Sequence, residues 1–207
     1  MNKEIFISFL KESFPDNYKV LLTGFEAYYR WLLEENKKIN LISRKADPQS
    51  IWTTHFLDSL LAIKHVDFRG KKVLDFGTGG GFPGIPIAIC FPSAHITLLD
   101  SIKKKVQSLR SAVSHLGLQN CSFIDKRLEE IHSGYIGKFD IILCRSVKIE
   151  PKYKKPLLNL LSEKGLLVLY KSQILDDAGI FENVQIYDLS TPSIGERKIV
   201  VVRKNSA

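Results

Sequence analysis

The chain has 207 residues, enough to bury a core without disulfide or metal staples, and its 30 lysines and arginines against 22 acidic residues leave a net charge of +8. That balance suits a polyanionic partner without dictating a fold. No apolar run approaches a membrane span, the start Met1-Asn2-Lys3-Glu4 is too polar for a secretory leader, and Cys90, Cys121 and Cys144 are too scattered for a disulfide framework. A cytoplasmic protein is therefore expected, with its cysteines reduced and buried. His55, His65, His95, His115 and His132 make no close pair on one helix face, so no metal site is expected.

Residues 1–64 show helical spacing and no convincing strand. Phe6, Phe9 and Leu10 begin one apolar face, and Val20, Leu21, Phe25, Tyr28, Tyr29, Leu32 and Leu33 continue another. A third helix is predicted from Pro48 to about Ile63, with Asp47 as N-cap and Pro48 at its first position. These helices need an apolar partner surface. Residues 1–64 are accordingly read as a helical extension packed on a sheet domain spanning 65–207.

Val73 to Phe76 is the first strand, Gly84 to Cys90 a short helix, and Ile96 to Leu99 the second strand. The helix from about Lys103 to Leu116 turns Val106, Leu109, Val113 and Leu116 toward the sheet and stops at Gly117. Cys121 to Ile124 is strand three, with a short helix near Leu128 to His132. The nearly continuous apolar run Phe139 to Cys144 reads as a strand buried on both faces. A helix over Pro151 to Leu161, strand five over Leu166 to Tyr170, and strands at Val184–Tyr187 and Lys198–Val202 complete the order. The link between the last two is too short for a crossover, so strand seven should run antiparallel to its neighbours in a terminal hairpin. The fold class expected is α/β: a doubly wound, Rossmann-like, seven-stranded and mostly parallel sheet with an antiparallel edge.

The segment Asp75-Phe76-Gly77-Thr78-Gly79-Gly80-Gly81-Phe82-Pro83-Gly84 can be parsed in two ways. Gly79, Gly81 and Gly84 match the dinucleotide spacing G-x-G-x-x-G, whereas Asp75 with Gly77, Gly79 and Gly81 matches D-x-G-x-G-x-G. A carboxylate at the loop mouth repels a diphosphate and favours the cationic amine of S-adenosylmethionine, unless it only caps the turn. Asp100 ends strand two, where ribose hydroxyls of either cofactor are received; capping the next helix is its bland alternative. Leu128 and its neighbours are placed at an adenine border. Arg145 and Lys171 emerge at the rim that carries the glycine loop, suited to phosphate or a base edge, or else are solvated strand ends. His55 and Asp58 lie three positions apart on one helical face, able to brace each other or the loop. Phe82 borders the pocket or faces the core.

Taken together, Asn40-Leu41-Ile42, His55-Phe56-Leu57-Asp58-Ser59-Leu60, the block from Val73 to Pro86, Leu98-Leu99-Asp100-Ser101 with Lys104-Lys105, Arg127 with Glu129, Arg145-Ser146, Lys171 and Arg197 resemble the small-subunit ribosomal RNA methyltransferase G family, also called glucose-inhibited division protein B. The resemblance implies a bacterial enzyme that transfers methyl from S-adenosylmethionine to N7 of a guanine of 16S rRNA, conventionally nucleotide 527 in the 530 loop. It implies cofactor-binding roles for Asp75, Gly77, Thr78, Gly79, Gly81, Phe82, Asp100, Leu128, Glu129 and Arg145. Catalytic roles fall to Asn40, Arg145 and Lys171, and substrate-binding ones to His55, Asp58, Lys104, Lys105 and Arg197. The partner expected is 16S rRNA in the small subunit or an assembly intermediate, with the enzyme a monomer. Two departures stand out: Leu128, where the family usually has a smaller residue, and a short segment from Ser172 to Asn183. The competing classes are a NAD-dependent oxidoreductase and a non-catalytic rRNA-binding assembly factor.

Overall fold

In the computed structural model the described residues are 1–173, 175 and 178–204. Part of the 172–183 segment singled out in the sequence therefore lies outside them. Seven strands, β1 (Lys72–Phe76), β2 (His95–Leu99), β3 (Cys121–Ile124), β4 (Phe139–Arg145), β5 (Leu161–Lys171), β6 (Val184–Asp188) and β7 (Lys198–Arg203), form one sheet in the order β3-β2-β1-β4-β5-β7-β6. β1 to β5 pair in parallel, and β7 is antiparallel to both β5 and β6. The expected antiparallel strand is thus present but is not the edge. β7 inserts between β5 and β6 because its Ile199 to Val202 are buried on both faces, while β6 has no buried residue and suits the rim.

β4 shows why a continuous apolar run belongs in the middle of such a sheet. Ile141 and Leu143 enter the core that also holds Phe6, Phe25 and Phe56, whereas Ile142 and Cys144 enter the opposite core with Leu157 and Leu167. Strand five begins earlier than its sequence suggested. Leu161 already pairs with Phe139, and β5 advances from Leu161 to Leu166 while β4 advances from Phe139 to Ile141. Gly165 closes that excursion, where a Cβ would lie 2.9 Å from the Leu161 Cβ.

Helices α1 (Asn2–Ser13) and α2 (Tyr18–Lys38) bury the predicted faces, Phe6, Phe9 and Leu10 in one and Leu21, Phe25, Tyr28 and Leu32 in the other. Their rings interlock with Trp52, Phe56 and Phe82, with centroids 4.8 Å apart for Phe6 and Phe25 and 5.5 Å for Tyr28 and Phe82. The same core continues into Val73, Ile96 and Leu98 of the sheet.

The helix expected from Pro48 to Ile63 is not regular. It runs as a 3-10 turn (Pro48–Ser50), a π turn (Trp52–Leu57), a short helix α3 (Asp58–Leu60) and a second 3-10 turn (Leu61–Lys64). Asp47 does cap it, its Oδ1 accepting the Gln49 amide at 3.0 Å. The widened π turn leaves the Thr54 and His55 carbonyls able to accept from Arg145 of β4, at 3.3 and 3.4 Å. Farther on, α4 (Gly84–Cys90), α5 (Lys103–His115) and α6 (Pro151–Leu160) lie close to their predicted bounds, and the expected helix after β3 is only a 3-10 turn over Leu128–Glu130.

Candidate active site

The site is built on the turn between β1 and α4. Gly77, Gly79 and Gly81 all take left-handed backbone, with φ of 73°, 57° and 93°, which folds the loop tightly over the carboxyl ends of the strands. Gly77 and Thr78 donate their amides to the Leu99 carbonyl, each at 2.9 Å, tying the loop to β2. A Cβ at Gly79 would meet only the Gly77 carbonyl at 3.9 Å, so the space that this glycine leaves belongs to the adjoining cleft. One at Gly81 would sit 2.5 Å from Tyr28 Oη and 2.6 Å from Ile85, so here glycine serves packing.

Asp75 lies under the loop, not at its mouth. It is fully buried; Oδ2 accepts the Thr78 hydroxyl at 2.6 Å and the Gly84 amide at 2.8 Å, and Oδ1 has no hydrogen-bond partner among the described residues. Burial pushes its pKa up to about 6, against the smaller opposing pull of those two hydrogen bonds. The expectation that Asp75 faces a ligand is corrected: a strand-interior side chain on β1 points into the layer beneath the turn. Gly81, within the turn and packed against Tyr28 and Ile85, does not line the cleft beside the loop either. Asp100 stands at the surface of the cleft and joins two elements, Oδ2 accepting the Gly79 amide at 3.0 Å and Oδ1 the Ile102 amide at 2.9 Å. It does not cap α5, whose N-cap is Ile102 with no side-chain cap hydrogen bond, and each of its oxygens keeps a further lone pair for a ligand.

Beside the loop lies a cleft of about 600 Å³. Gly77, Thr78, Gly79, Phe82, Asp100, Leu128, Glu129 and Arg145 line it, as does Lys105, which was assigned to the substrate side. Ile102, Val147 and Tyr153 add apolar walls, and Leu128 presents its side chain from a buried position.

A second cleft of about 580 Å³ opens on the other side of Arg145 and shares His55, Arg145, Ser146 and Val147 with the first. Asp58, Lys171 and Arg197 line it as the sequence suggested, joined by Lys148, Tyr170 and Lys198. Five lysines and arginines line each cleft, but the second has one carboxylate, Asp58, against Asp100 and Glu129 in the first, which makes it the more positive of the two. Asn40 and Lys104 are exposed and line neither cleft, so the structure does not bring them to the others. Asn40 is the residue next to Leu41 and Ile42, which do line the first.

At the junction Arg145 is nearly buried. Its Nη1 donates to Asp58 Oδ2 at 2.9 Å, its Nη2 lies 2.7 Å from His55 Nδ1, and its guanidinium covers the Phe82 ring at 5.2 Å. Asp58 Oδ1 accepts from Arg197 Nε at 2.7 Å. His55 stacks on Phe82 with centroids 4.9 Å apart. Burial, then the neighbouring Arg145 charge, lower the His55 pKa to about 3, so the ring is neutral, with Nδ1 accepting and its proton on Nε2.

Several residues in this architecture escaped the sequence reading. Tyr28 donates its buried hydroxyl to the Gly80 carbonyl, clamping the loop to α2. Asn36 accepts the Leu41 and Ile42 amides at 2.8 and 3.1 Å and so shapes the cleft wall. The signal for Asn36 was available: it continues the buried stripe Leu21, Phe25, Tyr28, Leu32 at the next helical step, where a polar side chain needs a partner. Ser146 takes a left-handed φ of 59° where both clefts meet, which nothing in its sequence neighbourhood announces.

Among the described residues no cluster of three or more His, Cys, Asp or Glu could hold a metal, and no helix is long and apolar enough to cross a membrane. A family model described as rRNA small subunit methyltransferase G matches residues 22–189. The chain is 32% identical over its whole length to the ribosomal RNA small subunit methyltransferase G of Bacillus licheniformis, covering 92% of that protein. It is 34% identical to the protein of that name from Syntrophus aciditrophicus, over 89% of this chain and 82% of the other. Among solved structures, a SAM-dependent methyltransferase from Aquifex aeolicus superposes with a TM-score of 0.60 at 18% identity, covering 77% of this chain and 94% of that one. An O-methyltransferase from Bacillus cereus in complex with SAH gives 0.60 at 18% identity, over 86% and 90%.

Proposed function

Because the chain belongs to the rRNA small subunit methyltransferase G family, we propose that it methylates N7 of a single guanine in 16S rRNA, the one conventionally numbered 527, within the small subunit or an assembly intermediate. It is an S-adenosylmethionine-dependent rRNA methyltransferase on the class I methyltransferase fold. The nicotinamide-dependent reading of the glycine loop is thereby set aside. The observation that carries the site assignment is the pair of clefts meeting at one buried arginine, a glycine-loop cleft on one side and a cationic one on the other.

The residues of the first cleft suit the methyl donor. Backbone amides of the glycine loop and the Asp100 carboxylate supply polar groups at the carboxyl edge of β1 and β2, and the open space at Gly79 admits a ligand against the backbone. We assign Asp100 to the ribose hydroxyls, and Leu128 with Ile102 to the adenine faces. Asp75 then acts on the donor only through the loop that it holds. When bound, S-adenosylmethionine supplies a methyl group already activated by its sulfonium.

Guanine N7 carries a lone pair and no proton in the neutral base, so no general base is called for. The lone pair forms the N–C bond as the S–C bond breaks, its electron pair stays on sulfur, and the positive charge passes to the purine. What the protein has to supply is alignment and a shielded environment. A neutral His55 stacked on Phe82 gives an unprotonated, flat wall at the junction that adds no charge against the purine cation. We assign Lys148, Lys171, Arg197 and Lys198 to the phosphates around the target base. Residues 1–64 are proposed to serve as an extension of the 65–207 domain, supporting the loop through Tyr28 and Asn36, and a monomer is the proposed working unit.

The test is incubation of purified protein with methyl-labelled donor and either small subunits or stripped 16S rRNA, followed by chain cleavage at N7-methylguanine. One modified guanine in the 530 loop is the expected result. Label on another atom or another RNA would overturn the assignment, and donor binding without any labelled product would favour a non-catalytic assembly factor.

A further inference from the structure

Asp58 lines the second cleft yet the residue is only 7% exposed, and each of its carboxylate oxygens accepts from an arginine, so its contacts are chiefly with the protein itself. Arg145 offers five N–H donors in a planar fork. Its Nη1 is held by Asp58 and by the Thr54 and His55 carbonyls, and its Nη2 by His55 Nδ1, so most of the fork is committed inside the protein. The two clefts share this guanidinium, which places it where the reacting base must arrive.

An arginine free to swivel beside the Hoogsteen edge of guanine settles on O6 and N7 together, the commonest specific contact between that side chain and that base. For methylation at N7 such a contact is self-defeating, because the hydrogen bond occupies the lone pair that has to attack. Lysine at this place would not remove the difficulty, and the absence of any cation would forfeit the O6 contact. A fork tethered from behind resolves the conflict.

We propose that Asp58 is a positioning residue that, with His55, holds the Arg145 fork in one orientation so that it cannot close on guanine N7, leaving that lone pair open to the methyl group. The inference rests on the N7 reading given above. Asp58 also fixes Arg197 from the far side of the second cleft, so one carboxylate sets both guanidinium groups around the acceptor.

The test compares 16S rRNA carrying guanine at the target position with the same RNA carrying 7-deazaguanine, which lacks the N7 acceptor. Binding is measured for the whole protein in the presence of S-adenosylhomocysteine, and turnover is followed with labelled donor. The wild type should bind both RNAs alike and methylate only the first. Asp58→Ala should bind the guanine RNA at least as well, prefer it to the deaza RNA by roughly tenfold, and lose most of kcat with little change in KM. Where Asp58→Ala does not fold, as judged by its thermal melt, Asp58→Asn carries the comparison. A merely structural role for Asp58 would not alter the ratio between the two RNAs. Equal binding of both RNAs by the variants, or a tenfold preference already present in the wild type, would overturn the inference. Methylation of the deaza RNA by the wild type would instead overturn the N7 reading itself.

Discussion

Asp75→Asn separates two roles for the acid under the glycine loop. The carboxylate is fully buried, one oxygen is unpartnered, and its pKa is raised from 3.8 to about 6, chiefly by desolvation. That displacement corresponds to roughly 3 kcal/mol of destabilisation by the charged form at neutral pH. Between pH 3.8 and about 6 the folded protein binds the proton more tightly than the unfolded chain, so the contribution to stability is whole below 3.8 and is lost as pH rises through 6. Asparagine keeps an acceptor for Thr78 and Gly84 and removes the buried charge, although a neutral acceptor is weaker than a carboxylate. A net gain of about 1–2 kcal/mol is expected at pH 8, a rise in Tm of roughly 2–8 °C, shrinking to nothing near pH 4. Thermal melts across that pH range, with donor affinity measured by calorimetry, give both readouts. Donor affinity should change less than about threefold, since the side chain shapes the loop without reaching the cleft. A destabilised variant at pH 8 would refute the account of Asp75 as a costly buried charge; a loss of donor binding beyond tenfold would restore it as an electrostatic partner of the ligand amine.

Asp100→Ala removes the acceptor of the Gly79 amide together with the group assigned to ribose, and donor affinity should fall about 10–100-fold with only a small change in Tm. Titration with S-adenosylhomocysteine measures it, and an affinity within threefold of wild type would exclude the ribose assignment. Tyr28→Phe strips the Gly80 carbonyl of its buried donor, which should cost about 1–2 kcal/mol in denaturant unfolding and loosen donor binding through the loop. Unchanged stability would mean that the α2 clamp contributes nothing.

Some of the fold was legible because its causes are local. The stripe Phe25, Tyr28, Leu32 fixes the buried face of α2, and the run Phe139 to Cys144 reads as a central strand, since apart from Asp140 both of its faces are apolar. The regular helix expected over residues 48–63 was not observed, because its hydrogen-bonding pattern depends on a partner far along the chain: carbonyls in its π turn accept from Arg145. The place of β7 was likewise beyond local reasoning. A short connection requires β6 and β7 to be antiparallel neighbours, yet which of them pairs with β5 depends on how much of each can be buried.

Within the site the division is the same. Gly77, Gly79 and Gly81 announce a tight loop from composition alone, because backbone with positive φ is what glycine permits and other residues resist. Their spacing, with Asp75 and Asp100 at the strand ends, pointed to a ligand cleft and placed most of its wall. Which acid reaches the cleft was decided only in three dimensions: Asp75, within β1, is fully buried beneath the loop, whereas Asp100, one residue past the end of β2, forms part of the cleft wall. The junction of His55, Asp58, Arg145 and Arg197 brings together side chains up to 139 positions apart in the chain. Sequence supplied the charges; only the packed sheet, by removing them from water, determined which must pair and therefore where each arginine points.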